Sequence, residues 1–412
     1  MYLFGKELWL ILIGLGLVWS CQTVSNTFEV RKVNLEMLNA PSSEGGQPHL
    51  LTTGKNTFLS WIEYLNDTTD ALMCSRLDDG KWGEPVKISE GTDWFVNWAD
   101  FPMVHAFGDD RSLAAHWLAK SDTGVYNYDV MVSISKDQGT TWASPMMLHI
   151  DSVKAEHGFV SMQAVGNEFM QAIWLDGRHA GAGHHGGSGA MTLRTATFDV
   201  AGNVRERVEL DDRVCDCCQT SLAVTNRGPL AVYRDRSDKE IRDISFVQRI
   251  DGQWSTPKSV HPDNWLIAGC PVNGPQVISG SSSTVVSWFT QANNISKVKL
   301  SIMDAQGQSF KPPAQIDTGN PLGRVDLTWI DEESNSCFVV WLEQTGEEAE
   351  IRGRKVLAGT PTQTVYSLVE ISPSRSSGFP SLIKATDGLI LAWTHVDEVS
   401  LTTSIKTAIV DI

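Results

Sequence analysis

The sequence predicts an all-β protein folded as a seven-bladed β-propeller. Seven apolar segments each end in a large aromatic residue, and successive aromatic residues are 52 to 59 positions apart. Most of these segments follow a glycine turn and another short apolar run. A unit of about 50 residues with two to four short strands is typical of a propeller blade. The seven aromatic residues are Trp61, Trp117, Trp174, Tyr233, Trp288, Trp341 and Trp393.

The composition agrees with one folded domain. Hydrophobic residues make up 42% of the 412 residues and charged residues 20%, which is ordinary for a globular chain. A repeat array overrides the length-based expectation of two or three domains, so we expect a single propeller over residues 22–412. The net charge of −16 argues against nucleic acid as a partner, because phosphate binding needs a basic surface. We expect a monomer.

Residues 1–21 resemble a bacterial lipoprotein signal peptide. Lys6 precedes an apolar run from Leu8 to Trp19, which is too short to span a bilayer comfortably. Cys21 follows a small residue, as in a lipobox, which predicts lipidation of its thiol; simple secretion is the alternative. Gln22 is compatible with sorting to the outer membrane of a Gram-negative cell. We therefore predict an exported protein, held in the cell envelope by lipid alone.

The second unit shows the blade pattern most clearly. Its four strands are predicted at residues 101–107, 113–117, 128–134 and 146–149. The turn Ser135–Trp142 has the Asp-box pattern S-x-D-x-G-x-x-W, in which Asp accepts backbone N–H groups and Gly permits a positive φ. We interpret these turns as structural. Degenerate copies lie at residues 79–82, 251–254 and 304–310, and a fifth at 199–202.

The predicted N-terminal strand, residues 27–35, has no unit of its own. The last unit has only three strands. Pairing the N-terminal strand with this last unit would close the ring and remove an open sheet edge.

The chemically unusual residues fall in segments that share one face of the disc. In a propeller, inner strands start and second strands end on the same face. The turns on the opposite face are plain, so we expect ligands to bind at the unusual face. The segments concerned are residues 93–102, 156–159, 175–189, 213–221, 233–243, 268–275, 323–326 and 350–354.

The blade pattern and Asp boxes resemble the sialidase (neuraminidase, BNR-repeat) superfamily over residues ~30–412. The runs DWFVNWADFP, EHGFVS, WLDGR, VCDCCQTS, YRDRS and IAGCPVNGP are similar to those of bacterial exported sialidase-like proteins. The resemblance implies a glycan-directed face and, as the leading hypothesis, hydrolysis of an acidic glycan. The alternative is a non-catalytic propeller that binds a glycan or a small anionic ligand.

The resemblance also implies site residues. Sialidases bind the sugar carboxylate with three arginines and use a tyrosine nucleophile, a glutamate and an aspartate. Three departures exist: no Arg-Ile-Pro motif follows the first strand, sialidases need no Cys-x-Cys-Cys cluster in the channel, and sialidases have six blades, which makes six blades the alternative fold. The candidates are Arg178, Arg234, Arg236, Arg242, Arg324 and Asp176 for binding, Glu156, Asp93, Asp100 and Tyr128 (or Tyr126) for catalysis, and Trp94, Trp98 and Trp265 for stacking.

Four cysteines, Cys215, Cys217, Cys218 and Cys270, begin the inner strands of two neighbouring units. In an oxidising compartment the first expectation is disulfides, for instance Cys270 with Cys217 or Cys218. A copper or zinc site with His157, or with a histidine at 179, 184 or 185, is a second reading, and a redox site is a third. Cys74 and Cys337 lie in apolar strands and are expected to be buried thiols.

Overall fold

A computed structural model describes residues 28–54, 56–181, 189–304, 306–386 and 388–412. Seven sheets make up the described part of the protein, and all are antiparallel except for one edge strand. The innermost strand of each contacts the innermost strand of the next, the seventh contacting the first. The prediction of seven blades is confirmed, and the six-bladed alternative is wrong. Helix within the described ranges is limited to 3-10 turns at Ala292–Asn294 and Arg375–Ser377. No helix in these ranges has the length and hydrophobicity of a membrane span.

The strands of each blade follow the chain order from the centre outward, except that N-terminal strands form the outer edges of blades six and seven. Blade one comprises Gly45–Thr53, Asn56–Asn66, Thr69–Asp78, Lys81–Trp82 and Val86–Gly91. Blade two comprises Met103–Ala106, Leu113–Lys120, Tyr128–Ser135 and Met146–Met147. Blade three comprises His157–Val165, Phe169–Asp176, Met191–Asp199 and Val204–Val214. Blades four and five comprise Ser221–Thr225, Gly228–Arg234, Ile244–Ile250, Gln253–Trp254 and Lys258–His261; and Gln276–Ser279, Thr284–Thr290, Lys297–Ile302 and Ala314–Gln315. Blades six and seven comprise Pro321–Asp331, Ser336–Thr345, Glu348–Leu357, Thr360–Ile371 and Glu29–Lys32; and Ser381–Ala385, Gly388–Asp397, Thr402–Val410 and Leu35–Leu38.

The N-terminal segment closes the ring, but with a different register from the one predicted. Leu35–Leu38 pairs antiparallel with Thr402–Val410 and becomes the fourth strand of blade seven. Glu29–Lys32, which lies within the predicted strand, instead pairs parallel with Thr360–Ile371 at the outer edge of blade six. Two short strands therefore replace the single one expected, and they cover the outer edges of two adjacent blades. The predicted start at residue 27 lies outside the described residues.

The Asp-box turn of blade two forms as its sequence predicts. Asp137 accepts a hydrogen bond from the Thr141 backbone N–H at 2.9 Å and from its hydroxyl at 2.6 Å. Gly139 has a φ of +83°, and its N–H donates to the Ser135 hydroxyl. Trp142 packs between blades one and two. The turn thus locks the third strand of the blade to its outer part.

Large aromatic side chains fill the blade cores, and three tryptophans share a second feature that the sequence analysis missed. Each donates its indole N–H to a carboxylate two residues later in the same strand. The pairs are Trp61 with Glu63 at 2.7 Å, Trp174 with Asp176 at 2.8 Å and Trp341 with Glu343 at 2.7 Å. A W-x-[DE] pattern in a second strand therefore marks a buried acid with a built-in donor.

Replacing Trp341 with Phe tests the weight of this hydrogen bond. Glu343 is 1% exposed, so the Trp341→Phe substitution removes a donor from a buried carboxylate. Trp329→Phe is a matched control in the same blade, because the Trp329 indole N–H has no hydrogen-bond partner. We expect Trp341→Phe to lose about 2 kcal/mol more unfolding free energy than Trp329→Phe. Equal losses in urea unfolding would show that ring packing alone matters at both sites.

Candidate functional site

The predicted face does bring together loops from blades far apart in the chain. The Gln219 side chain donates to the backbone carbonyl of Ala99 at 2.6 Å and accepts from the Gly274 N–H at 2.9 Å. The Phe159 N–H donates to Asp100 at 2.7 Å. Loops that enter blades two, three, four and five are therefore tied to one another at one end of the central channel. The channel itself has a volume of about 690 Å³ and is lined by the inner strands of all seven blades.

A separate pocket of about 270 Å³ opens among these loops, between blades two, three and four. Its polar lining comprises Glu156, Asp216, Lys154, Tyr126 and Asn127, and glycines of the Gly177–Gly181 loop leave room beside them. Lys154 is exposed, and Tyr126 is 46% exposed. The pocket therefore combines two carboxyl groups, one cation and an accessible aromatic ring.

Three of the predicted catalytic residues meet beneath this pocket. The Tyr128 hydroxyl lies 2.7 Å from a Glu156 carboxyl oxygen and 3.1 Å from a carboxyl oxygen of Asp100. All three residues are buried, and Tyr128 is fully so. A Cβ at position 158 would collide with the Asp100 carboxyl, so Gly158 permits this close approach. Because Tyr128 has no access to solvent, it is placed to orient the carboxyl groups and not to attack a substrate.

Burial decides the ionisation of this trio. Burial raises the pKa of Asp100 to about 7, against the opposing effect of the hydrogen bonds from Phe159 and Tyr128. Burial also raises the pKa of Glu156 well above its usual range, and the charges of Asp100 and Asp216 add to this. The pKa of Tyr128 is raised by burial and by both carboxyl groups. Burial therefore favours the protonated form of Glu156, and this carboxyl lines the pocket.

The fourth predicted catalytic residue, Asp93, does not join the trio. Asp93 is exposed and does not line the pocket. The adjacent Trp94 pairs with Ala119 of blade two, and its ring stacks on Trp117 at 5.5 Å. This contact fixes the segment against the blade and leaves the Asp93 side chain in solvent.

Among the described residues, the five predicted arginines do not form an open binding site for a ligand carboxylate at this face. Arg234 is 2% exposed and donates to the carbonyls of Asn273, Arg242 and Phe289. Arg324 is buried and donates to the carbonyls of Ser374 and Gly378. Both guanidinium groups therefore hydrogen-bond to backbone carbonyls and join neighbouring blades.

The other three predicted arginines are held by carboxylates of the chain itself. Arg178 forms ion pairs with Asp176 at 2.7 Å and with Asp151 at 2.8 Å. The predicted binding residue Asp176 is therefore itself paired with an arginine of the chain. The remaining pairs are Arg236 with Glu240 and Asp216, and Arg242 with Glu240. A ligand carboxylate would have to displace these acids.

The predicted stacking tryptophans are packed against protein groups. The Arg324 guanidinium lies over Trp98 at 4.9 Å, and the Arg234 guanidinium lies over Trp265 at 4.8 Å. Trp265 is 5% exposed. These rings support the buried arginines and offer little face to a sugar, so Tyr126 is the accessible ring of the pocket.

The four cysteines of the predicted cluster do come together, as free thiols. The Cys215 sulfur lies 3.5 Å from that of Cys218 and 4.0 Å from that of Cys217, whereas a disulfide bond measures about 2.05 Å. Cys270 is close enough to Cys217 to affect the pKa of its thiol. Burial opposes ionisation of Cys215, but hydrogen bonds from Cys217 and Cys218 and the charge of Arg242 bring its pKa well below the usual range. The expected disulfides are therefore absent from the described structure.

His157 is not part of the cysteine cluster, which corrects its assignment as a metal ligand there. Its Nδ1 lies 3.1 Å from the Tyr128 carbonyl, and its ring stacks on His149 at 3.9 Å. Its Nε2 faces Asp151 at 3.3 Å. Among the other histidines proposed, His179 approaches Arg194, and residues 184 and 185 lie outside the described residues.

Several residues of this face were missed from the sequence, although the fold supplies a rule that finds them. In a blade of four antiparallel strands, the outer strand ends on the same face as the second strand. Residues 148–155 follow the outer strand of blade two, so this rule selects His149, Asp151 and Lys154. Asp216 lies between Cys215 and Cys217 in the cysteine motif, and it was not predicted as a site residue.

Comparison with known proteins supports the fold. No protein-family model matches this sequence, and no curated protein matches it closely enough to count as a relative. The endosialidase of phage phi92 has a TM-score of 0.51 and 10% identity, over 92% of this chain and 69% of the phage chain. An ulvan lyase of a polysaccharide lyase family, solved bound to -[GlcA(1-4)Rha3S]-, has a TM-score of 0.54 and 9% identity, over 93% of this chain and 95% of the lyase. At such identities the likeness concerns the fold alone, and it agrees with the β-propeller seen here.

The raised pKa of Asp100 predicts a specific pH dependence of stability. In the unfolded chain Asp100 has the ordinary aspartate pKa of 3.8, while in the folded protein it stays protonated up to about pH 7. The wild-type protein therefore loses about 1.4 kcal/mol per pH unit from this group between these values. Asp100→Asn removes that loss, and its amide can still accept from Phe159 and donate to the Tyr128 oxygen. We expect its stability relative to wild type to rise by about 3 kcal/mol between pH 4.5 and 7.5.

Asp137→Asn is the control for this experiment. Hydrogen bonds from Thr141 and Ser135 lower the pKa of Asp137 to about 2, so this carboxyl is ionised in both folded and unfolded chains over the same pH range. Its stability difference from wild type should stay constant from pH 4.5 to 7.5. Urea unfolding at matched pH values measures both differences, and parallel curves for the two variants would contradict a neutral Asp100.

Proposed function

We propose that this protein cleaves glycosidic bonds in an acidic glycan, with the sugar held in the 270 Å³ pocket between blades two, three and four. The observation that carries the proposal is the pair of carboxyl groups, Glu156 and Asp216, that line this pocket in two different environments. A protonated and an ionised carboxyl on either side of a glycosidic bond are the usual requirement for its hydrolysis.

Glu156 takes the role of general acid. Its raised pKa keeps a proton available at neutral pH, and its contact with Tyr128 fixes the orientation of the carboxyl. Asp100 lies on the far side of the same hydroxyl and supports this geometry from within the blade. The proton would pass from Glu156 to the leaving oxygen of the sugar.

Asp216 takes the second role, as base or nucleophile. Its carboxylate lies 3.2 Å from the Arg236 guanidinium and 3.9 Å from that of Arg242. These cations stabilise the ionised form of Asp216, whereas burial stabilises the protonated form of Glu156. The two environments therefore separate the two roles, as in other carboxyl pairs that share a site.

Lys154 and Tyr126 supply recognition of the sugar. Lys154 is the exposed cation of the pocket lining and can pair with a sugar carboxylate. Tyr126, supported by Phe95 at a ring distance of 6.0 Å, offers a flat apolar surface to a sugar ring. The two structural neighbours carry the names endosialidase and ulvan lyase, which makes acidic glycans the first panel to test.

Glu156→Gln tests the general acid. The amide retains the shape of the carboxyl but has no proton to transfer, so kcat should fall by about 10²- to 10⁴-fold. Activity is measured as new reducing ends or unsaturated products released from a panel of acidic glycans. Glu168→Gln is the matched control, because Glu168 is exposed at a turn on the opposite face of blade three. Equal activity of wild type and Glu156→Gln excludes Glu156 as the acid, and binding without cleavage by wild type favours the non-catalytic alternative.

Lys154→Ala tests the selection of acidic sugars. Loss of a charge-assisted hydrogen bond should raise KM for a carboxylated glycan by about 10-fold or more. The KM for the same glycan with its carboxyl groups reduced to alcohols should not change. An equal rise for both substrates would mean that Lys154 does not read the carboxylate.

We further propose export, a lipid anchor at Cys21 and a monomeric state. The support is the apolar run before Cys21 and the small residue that precedes the thiol. Metabolic labelling with a fatty acid should mark the wild-type chain and leave Cys21→Ala unlabelled, while both fold alike. Light scattering of the purified chain reports the oligomeric state.

A further inference from the structure

The cysteine cluster has no role in the glycan chemistry proposed above. Cys215 and Cys218 are buried, Cys217 is partly exposed and Cys270 is exposed at the rim. We propose that Cys215, Cys217 and Cys218 bind one soft metal cation, copper(I) or zinc(II).

The spacing of the sulfur atoms supports a shared cation. A metal–sulfur bond of about 2.3 Å places two ligand sulfurs about 3.8 Å apart in a tetrahedral site and about 4.0 Å apart in a trigonal one. The observed separations are 3.5 Å for Cys215 and Cys218, and 4.0 Å for Cys215 and Cys217. All three sulfurs lie within 4.8 Å of one another. A cation would therefore need changes of about 1 Å or less in the separations of these sulfurs.

The local chain explains why three cysteines within a stretch of four residues can converge. Cys215 is anchored at the end of the outer strand of blade three, where its N–H donates to the Arg234 carbonyl at 3.0 Å. Residues 216 and 217 then form a turn, so Cys218 folds back toward Cys215. Side chains at the two ends of a tight turn can point to the same side. In a regular β-strand, side chains three positions apart would point to opposite faces.

A buried cation beside the cluster provides the outer contacts of a metal–thiolate site. Arg242 is 2% exposed, and its Nη1 lies 3.2 Å from the Cys215 sulfur. Glu240 holds the same guanidinium in place at 2.8 Å. An N–H···S hydrogen bond of this kind stabilises a thiolate ligand and offsets the negative charge that several thiolates bring to one cation.

The donor set selects the class of metal. Sulfur-only ligands favour copper(I) and zinc(II) over magnesium, calcium or manganese, which prefer oxygen. No histidine nitrogen among the described residues belongs to this group of ligand atoms. Cys270 comes from the loop before blade five and is exposed, so it gives a cation a route from solvent to the buried sulfurs.

Metal titration of the full-length chain, purified and reduced under nitrogen, tests this site. One arm uses copper(I) with a competing chelator, and the other uses zinc chloride with a colorimetric competitor. We expect one equivalent of one of these metals, ultraviolet charge-transfer absorption for copper(I), and protection of at least three thiols from alkylation. Cys74→Ala is the matched control, because Cys74 is a buried thiol in a strand of blade one.

Variants connect the binding to the named sulfurs. Cys215→Ser and Cys218→Ser should abolish the thiol protection and the binding, and Cys217→Ser, at a partly exposed position, serves if the buried variants fold poorly. Arg242→Gln should weaken affinity by about 10- to 100-fold, as loss of an outer contact usually does. Cys74→Ala should bind like wild type.

Three outcomes would overturn the proposal. The first is a disulfide among these cysteines in the protein as isolated, found by mass spectrometry. The second is a reduced, folded chain that binds neither metal, and the third is binding that survives in all three serine variants. Glycan turnover is not measured in these experiments, so their failure leaves the proposed hydrolysis untouched, and the reverse also holds.

Discussion

Closure of the ring is the constraint on which the rest of the structure depends. Leu35–Leu38 pairs with Thr402–Val410, residues more than 360 positions away in the chain, and completes blade seven. Once the ring is closed, seven inner strands must face one channel, and the loops at each end must face one another. The contacts of Gln219 with Ala99 and Gly274 exist only because of that geometry.

Buried arginines hold adjacent blades together at the same face. Arg234 and Arg324 each satisfy several backbone carbonyls, and Arg354 donates to Ile316 between blades five and six. Burying a guanidinium is unfavourable unless its donors are satisfied, and loop carbonyls otherwise left without partners provide that satisfaction. These arginines resemble ligand-binding groups in the sequence. They instead join adjacent blades, because their guanidinium groups donate to carbonyls inside the protein.

One turn contributes residues to both proposed sites. Asp216 lines the 270 Å³ pocket, while the sulfurs of Cys215 and Cys217 on either side of it lie in the thiol cluster. Arg242 contacts both, at 3.9 Å from Asp216 and 3.2 Å from the Cys215 sulfur. A change of charge at the sulfurs therefore reaches the pocket carboxyl through a shared guanidinium, although the hydrolysis and the metal site are separate proposals.

The sequence by itself determined the blades, the closing segment and the face that carries the unusual residues, because strand period and turn chemistry are local and repeat seven times. It also grouped Asp100, Tyr128 and Glu156, and brought the four cysteines together. Tertiary structure alone decided that Arg178 pairs with Asp176 and Asp151, and that His157 turns to His149 and away from the cysteines. Such choices depend on distances of a few ångströms between side chains of different loops, and no periodic pattern in a chain encodes them.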